Sequence, residues 1–305
     1  MPHKLPLLIG IGEVLWDLLP GGSHLGGAPA NFAYMANLLG ASGVLVSRVG
    51  TDELGHTAQR QLADHGVDIS CLQVDPDHPT GSTTVSLSNE GVAKYSITEN
   101  VAWDHLQWTP ELPELAAQAE AVCFGTLAQR SLATRDTVTR FLEHTTSTCL
   151  KVLDVNLRPP FFDSVLLRKS LQQANVLKLS QEELPEVLRA CSLPPQADEQ
   201  AAQALRQHLD LQLVCITRGR GGSVMDSANQ TVTHPGLNAT VVDTIGAGDA
   251  FTATLAIQLV AGHPLEQVSQ AANAVSAWIV SQAGAMPVPS AAERQRLRNA
   301  FGCRG

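Results

Sequence analysis

Short apolar runs separated by helical segments constrain the fold of this chain more than any other feature. The runs are rich in β-branched residues and continuous rather than alternating, which is typical of strands buried on both faces of a parallel sheet. They are "LLIGIG" (7–12), "GVLVSRVG" (43–50), "AVCFG" (121–125), "LKVLDVN" (150–156), "NVLKLS" (175–180) and "LQLVCIT" (211–217). The segments 131–147, 164–174, 181–190 and 198–210 between them are predicted helices. The alternation predicts an α/β fold with a doubly wound, mainly parallel sheet flanked by helices.

Two segments depart from this alternation. Residues 13–27 and 80–104 are poor helix formers, and the second alternates apolar residues (Val85, Leu87 and Ile97) around an "NEG" turn. This pattern predicts a β-hairpin in a small β-sheet lid, inserted in a single domain that covers residues 1–305. Its exposed apolar residues either pair with a second copy, giving a homodimer, or cover the substrate.

Charge and composition exclude several classes of partner. The chain has 305 residues, 44% of them hydrophobic, and a net charge of −9. This charge argues against nucleic acid and anionic membranes as partners, so any anion site must be built locally from backbone N–H groups or a few cations. The six cysteines form no Cys-x-x-Cys pair, and no long apolar segment or signal peptide is evident. We expect a cytoplasmic protein that does not enter a membrane.

The stretch "VVDTIGAGDAFTATLAIQLV" (241–260) places glycines and a carboxylate before an apolar helix. Helix N-termini have unpaired N–H groups and a partial positive charge, so Gly246, Ala247 and Gly248 can form a backbone cup for a phosphate oxygen. Asp249 follows directly, and we expect it to stay ionised and to accept a proton from a hydroxyl. Together they suggest phosphoryl transfer to an alcohol. For an isolated G-x-G-D, a glycine loop with an acidic residue that favours the helix dipole is the commoner explanation.

A second glycine pair precedes the helix in "GGAPANFAYMANLLGA" (26–41). Gly26 and Gly27 stand before it, Asn31 falls in its opening turn, and Asp17 lies upstream in a strand-like segment. The amide and the carboxylate are suitable partners for the hydroxyls of a neutral polyol. The alternative is that Asn31 is a helix-start residue and Asp17 a surface charge.

Glycines also follow the strand 211–217, in "CITRGRGGSVM". Thr217, Gly219 and Gly222 lie at its carboxyl end, where ligands bind in parallel sheets, and glycine-rich turns there suit nucleotide phosphates. The chain has neither G-x-x-x-x-G-K-[ST] nor a G-x-G-x-x-G after the first strand. A P-loop ATPase and a Rossmann dehydrogenase therefore lack their fingerprints.

Polar residues also end the strand 150–156. In "DVNLRPPFFD", Asp154, Asn156 and Arg158 alternate, so an extended backbone would turn all three side chains toward one face. Arg158 is suited to clamp a phosphate or a developing negative charge. A strand-end ion pair is the alternative.

The segments "GGAPANFAYMANLLGASGVLVSRVGTDELG" and "DTIGAGDAFTATL" resemble the two signature regions of the pfkB, or ribokinase-like, family of carbohydrate kinases. Their order and spacing also match, over essentially the whole chain. The resemblance implies a doubly wound α/β domain with a β-sheet lid. It also implies transfer of the γ-phosphoryl group of ATP to a sugar hydroxyl with Mg²⁺.

Site residues follow from the resemblance position by position. Asp249 matches the catalytic base, and Gly246, Ala247 and Gly248 match the anion hole. The substrate positions are Asp17, Gly26, Gly27, Asn31 and Arg158; the ATP positions are Ser180, Thr217, Gly219, Gly222 and Asn273; the metal positions are Glu183, for Mg²⁺ through water, and Asp243 and Ile245, for a monovalent cation such as K⁺. Ser180 stands where the family often has asparagine.

The predicted substrate also rests on resemblance. "GGAPAN", "GEVLWDLLP" and "ENVAWD" are similar to segments of fructokinases, and Ala28 offers no polar side chain after the two glycines. A neutral sugar is therefore favoured, with fructose giving fructose 6-phosphate. Alternatives are a kinase for ribose, a nucleoside or 2-keto-3-deoxygluconate, and a non-catalytic sugar-binding relative.

Overall fold

The computed structural model describes residues 5–19, 22–87 and 93–303. Its main sheet has the order β13-β12-β11-β10-β9-β8-β1-β4-β5, and a second sheet has the order β3-β2-β6-β7. The strands are β1 (Leu7–Ile11), β2 (Leu15–Leu19), β3 (Gly22–Gly26), β4 (Ser42–Gly50), β5 (Leu72–Asp75), β6 (Gly81–Leu87), β7 (Ala93–Ile97), β8 (Ala121–Phe124), β9 (Leu150–Asp154), β10 (Val176–Ser180), β11 (Leu213–Thr217), β12 (Ser223–Ser227) and β13 (Thr231–His234).

Helices cover both faces of the main sheet. They are α1 (Ala28–Leu38), α2 (Glu53–Asp64), α3 (Leu112–Gln118), α4 (Leu132–Glu143), α5 (Ser164–Gln173), α6 (Leu184–Ala190), α7 (Asp198–Leu209), α8 (Ala247–Val260), α9 (Leu265–Ile279) and α10 (Ala291–Phe301). Neighbours from β5 to β11 pair in parallel, while β12 and β13 are antiparallel additions at one edge. The prediction of a mainly parallel sheet flanked by helices is confirmed.

Continuous apolar strands form the main sheet because both of its faces are buried. Along β1, Leu8 belongs to the cluster beneath α1, α8 and α9, whereas Ile9 belongs to the cluster beneath α3 to α7. Both residues are fully buried. A single strand therefore supplies side chains to two cores, as the unbroken runs predict.

The small sheet is built from the two segments that were predicted to form the lid. β2 pairs with β3 and β6, and β6 pairs with β7 in an antiparallel hairpin. The predicted "NEG" turn lies outside the described residues, as do the side chains of Val85 and Leu87. Ile97 is described and lines a cavity beneath the lid, which agrees with a covering role for this residue.

Several elements differ from the predicted boundaries. The helices expected over 131–147 and 181–190 are shorter, since α4 ends at Glu143 and α6 begins at Leu184. The strands β5 and β13 and the helices α3 and α10 were not predicted. β13 alternates exposed and half-buried residues at the sheet edge, so it lacks an apolar run that would reveal it. Within the described ranges, no helix combines the length and apolar character that a membrane crossing requires.

Candidate active site

A cavity of about 570 Å³ lies between the lid and the carboxyl ends of the main-sheet strands. The lid supplies Asp17 and Thr83 to its lining, and the start of α8 supplies Gly246, Gly248 and Asp249. Carboxyl strand ends are the usual place for ligands in open α/β sheets. The remaining lining residues are Glu13, Leu15, Gly27, Ala28, Asn31, Ile97, Leu127, Asn156, Arg158, Lys178, Thr244 and Ile245.

The start of α8 has the backbone geometry of an anion cup. Gly246 precedes the helix at φ 77°, and no side chain caps the first turn. A Cβ atom on Gly246 would lie 2.6 Å from the Cβ of Ala285, so the turn admits only glycine. Among the described residues, the N–H groups of Gly246 and Gly248 have no hydrogen-bond partner, and that of Ala247 has only a long bond, of 3.3 Å, to the carbonyl of Thr244. These groups can therefore turn to a ligand in the cavity.

Asp249 lies in the first turn of α8 and accepts a hydrogen bond from Asn31 Nδ2 at 2.6 Å. This bond joins the two predicted glycine sites, which are more than 200 residues apart in sequence. Burial raises the pKa of Asp249 to about 6, and the carboxylate of Asp154 adds to that rise. The pKa lies above the usual carboxyl value because the surroundings are poor in solvent and contain a second negative charge, and it remains below neutral pH.

The start of α1 forms the other wall of the cavity. Gly27 precedes this helix at φ 106°, and Asn31 is buried one turn later. Asp17, on β2, accepts a hydrogen bond from the hydroxyl of Thr83 on β6 and keeps its carboxylate at the cavity. Gly26 lies beside it, since a Cβ atom there would be 3.2 Å from Asp17 Oδ2. The predicted substrate residues are thus brought together.

Glu13 belongs to this wall and was missed in the sequence. It follows β1, lines the cavity, is 2% exposed, and its Oε2 has no hydrogen-bond partner among the described residues. Burial raises the pKa of Glu13 to about 7, and the charge of Asp249 contributes. Its position directly after the first buried strand was a signal for a ligand site.

The side chains of Asp154, Asn156 and Arg158 do not lie on one face of an extended strand, so the predicted alternation was wrong. The strand ends at Asp154, and Asn156 takes a left-handed φ of 44°, so the backbone is no longer extended. Asn156 and Arg158 line the cavity. Asp154 instead lies below it, in an ion pair with Lys178 at 2.9 Å.

A second cavity, of about 330 Å³, lies on the other side of the loop before α8. Thr244 lines both cavities, and Ala247 lines the second. Gly219 and Asn273, two of the predicted ATP residues, also line it. The amide nitrogen of Asn273 donates hydrogen bonds to Ser223 Oγ and to the carbonyl of Ser269, each at 2.8 Å.

Three other predicted nucleotide or metal residues are not part of the lining of the second cavity. Thr217 ends β11 and contacts the carbonyl of Leu179 at 3.4 Å. Gly222 closes the following turn, where a Cβ atom would meet the carbonyl oxygen of His234 at 2.0 Å. Glu183 accepts hydrogen bonds from the backbone N–H groups of Leu157 and Ser180, at 2.7 and 2.8 Å. Its carboxylate therefore holds together the loops after β9 and β10.

Asp243 performs a similar bridging role before α8. Its two carboxylate oxygens accept hydrogen bonds from the N–H groups of Ile245, at 3.0 Å, and Gly284, at 3.1 Å. The loop before α8 is thereby tied to the loop after α9. The predicted cation residues thus lie where two loops meet, and Ile245 also lines the lid-side cavity.

Comparisons with known proteins agree with this architecture. Residues 21–291 match the model of the pfkB family carbohydrate kinases. A fructokinase of Escherichia coli is 32% identical over 80% of this chain and 81% of its own, and a fructokinase of Salmonella typhimurium is 31% identical over 85% and 86%. The solved structure of an uncharacterized sugar kinase from Pyrococcus horikoshii in complex with ATP is 26% identical, with a TM-score of 0.80 over 97% of this chain and 99% of that one.

Proposed function

As the chain belongs to the pfkB family of carbohydrate kinases, which are phosphotransferases with an alcohol acceptor, we propose that it phosphorylates fructose to fructose 6-phosphate with ATP. One observation carries this proposal: Asp249 lies at an anion cup between two cavities that share Thr244. The lid-side cavity has the size and the polar groups for a neutral hexose. The fructokinase relatives support the choice of sugar.

In this reaction Asp249 takes the proton of the sugar hydroxyl while that oxygen attacks the γ-phosphorus. The bond from the phosphorus to the bridging oxygen breaks, and ADP leaves. The N–H groups at the start of α8 receive the charge of the migrating phosphoryl group. Asp249 must be ionised to act as a base. With a pKa of about 6 it is mostly ionised at neutral pH, and its pKa is close enough to that pH for it to accept a proton effectively.

The nucleotide is proposed to bind in the second cavity, with its adenine near Asn273 and its phosphates directed past Thr244. The described residues contain no group of three or more His, Cys, Asp or Glu side chains that could hold a metal alone. Mg²⁺ would bind largely through the phosphates of the substrate and neutralise their charge. Both oxygens of Glu183 accept backbone hydrogen bonds, so its contact with Mg²⁺ would pass through water.

The test is ADP release with ATP and Mg²⁺ across a panel of fructose, ribose, adenosine and 2-keto-3-deoxygluconate, with and without K⁺. Fructose should give the highest kcat/KM, and Asp249→Asn serves as the inactive control. A fructose signal no greater than that with ribose or adenosine would reject the substrate assignment. Binding of ATP and sugar without ADP formation would favour the non-catalytic alternative. Activation by K⁺ would support the cation site at Asp243 and Ile245.

The homodimer through the lid also stays a prediction. Light scattering at assay concentrations should give twice the mass of one chain. The mass of a single chain would reject the homodimer, and the apolar residues of the lid would then only cover the substrate.

A further inference from the structure

Lys178 is a buried cation in the middle of an apolar strand. It lies in β10 between Leu177 and Leu179, which are fully buried, and is itself 6% exposed. Removing an ammonium group from water is costly, and a buried ion pair seldom stabilises a fold more than apolar residues of similar volume. Packing of β10 alone therefore does not account for a lysine at this position.

Among the described residues, Lys178 has a hydrogen-bond partner for two of its three N–H groups, and the third is free. Its Nζ donates to Asp154 Oδ1 at 2.9 Å and to Oδ2 at 3.0 Å, whereas an ammonium group has three donors. Thr252 of α8 also donates to Asp154 Oδ2, at 2.8 Å. Asp154 is thus fixed from two sides, and it holds the ammonium in one orientation.

The free side of the ammonium faces the anion cup. A Cβ atom on Gly248 would lie 3.0 Å from Lys178 Nζ, and Lys178 lines the larger cavity beside Asp249. Burial lowers the pKa of Lys178, but the nearby carboxylates of Asp154 and Glu183 raise it by more, so the pKa lies above its usual value. The ammonium therefore stays charged over the whole range in which an enzyme is assayed.

We propose that Lys178 is a further catalytic residue of the phosphoryl transfer, whose ammonium donates a hydrogen bond to an oxygen of the migrating phosphoryl group. The inference rests on the proposed function. Lys178 keeps its proton and forms no covalent bond in this role. It adds a fixed positive charge to the N–H groups of Gly246 to Gly248, and the contact strengthens as charge moves onto the phosphoryl oxygens.

A purely structural role is the competing explanation, in which Lys178 only neutralises Asp154. The two roles differ in what happens when both charges are removed. Lys178→Met leaves the Asp154 carboxylate unpaired, whereas the double variant Asp154→Asn/Lys178→Met restores neutrality. If Lys178 contacts the phosphoryl group, both variants should lose about 10²–10³-fold in kcat, with the KM for sugar within about threefold of wild type.

The matched control is Lys169→Met, an exposed lysine of α5, which should leave kcat unchanged. A second readout is binding of ADP with aluminium fluoride and fructose, a mimic of the transferring group. Both Lys178 variants should bind this combination about 10²-fold more weakly while binding ADP alone normally. This readout and thermal unfolding separate loss of the contact from loss of the fold.

Recovery of wild-type kcat in the double variant would overturn the inference, because it would show that Lys178 merely balances Asp154. Unchanged binding of the aluminium fluoride complex would do the same. Wild-type turnover is measured first. Its absence with every sugar would reject the proposed function, whereas turnover that is insensitive to Lys178 would reject this inference alone.

Discussion

The helices α1 and α8 begin in the same way but present opposite chemistry. Each follows a glycine with positive φ, Gly27 at 106° and Gly246 at 77°, and neither has a side-chain cap. The start of α1 lies beside the carboxyl groups of Glu13 and Asp17, whereas the start of α8, which carries Asp249 in its first turn, lies against the ammonium of Lys178. The backbone geometry is therefore general, and the neighbouring charges decide which ligand group each helix start receives.

This contrast supports the proposed function, in which α1 contributes to hydroxyl recognition and α8 to phosphoryl recognition. Asp17 is a hydrogen-bond acceptor, and Glu13, whose pKa is raised to about 7, can accept or donate according to its protonation; both suit the hydroxyls of a sugar. Lysine and free N–H groups are donors, which suit a phosphate. The bond between Asn31 and Asp249 joins the two regions where the acceptor hydroxyl would meet the phosphorus.

The largest expected effect comes from Asp249→Asn at the junction of the two helix starts. The amide cannot take the hydroxyl proton, so kcat should fall about 10²–10⁴-fold. ATP should still bind, which calorimetry with a nonhydrolysable analogue would measure. Turnover close to wild type would remove Asp249 from the role of base.

Gly246→Ala tests whether the backbone at the start of α8 is required. The new Cβ atom would clash with Ala285, and the alanine would be forced to take a positive φ. We therefore expect kcat to fall about 10²-fold and the protein to unfold at lower temperature. Gly262→Ala is the matched control, since Gly262 has φ 71° and a Cβ atom there would have no heavy atom within 4 Å. Equal loss of activity in both variants would mean that general strain, rather than the anion cup, is being measured.

Asp17→Asn tests the α1 side. Loss of a charged acceptor should weaken sugar binding by about 1.5–3 kcal/mol, which raises the KM for fructose about 10–100-fold. The KM for ATP and the folded state should change little. If the variant changed the KM for ATP instead, Asp17 would not belong to the sugar-binding side of the site. Asp64→Asn, on the exposed face of α2, is the control.

The smallest effect is on the pH dependence of stability, through Glu13. Burial raises its pKa from 4.5 to about 7 in the folded protein. Between these values the folded state binds the proton that the unfolded state has lost, so stability falls as pH rises through this window. Glu13→Gln should therefore raise the free energy of unfolding at pH 8 by roughly 1–3 kcal/mol and change it less at pH 5. Equal effects at both pH values in chemical unfolding would contradict the assigned pKa.

Sequence predicted the elements whose signal is local. The buried strands were found because both of their faces are apolar. The glycines before α1 and α8 were found because they stand directly before predicted helices, where backbone N–H groups are unpaired. Glu13 and Lys178 were missed because their importance comes from packing between distant strands. A lysine within "VLKLS" was a visible anomaly, since lysine is seldom fully buried in a strand unless another group pairs with it.

The raised pKa of Asp249 could not be predicted from the sequence either. A carboxylate at a helix N-terminus is ordinarily stabilised in its ionised form, and the sequence alone supports that expectation. The raised pKa comes from burial beneath the lid and from Asp154, which is nearly 100 residues away in the chain. Only the fold brings these causes together.

The most direct test is a crystal structure with fructose, ADP and aluminium fluoride. The account predicts the fluoride group within hydrogen-bond distance of the N–H groups at Gly246 to Gly248, with the acceptor oxygen of the sugar beside the carboxylate of Asp249. A fluoride group bound away from the start of α8, or a sugar oxygen that faces another carboxylate, would contradict it.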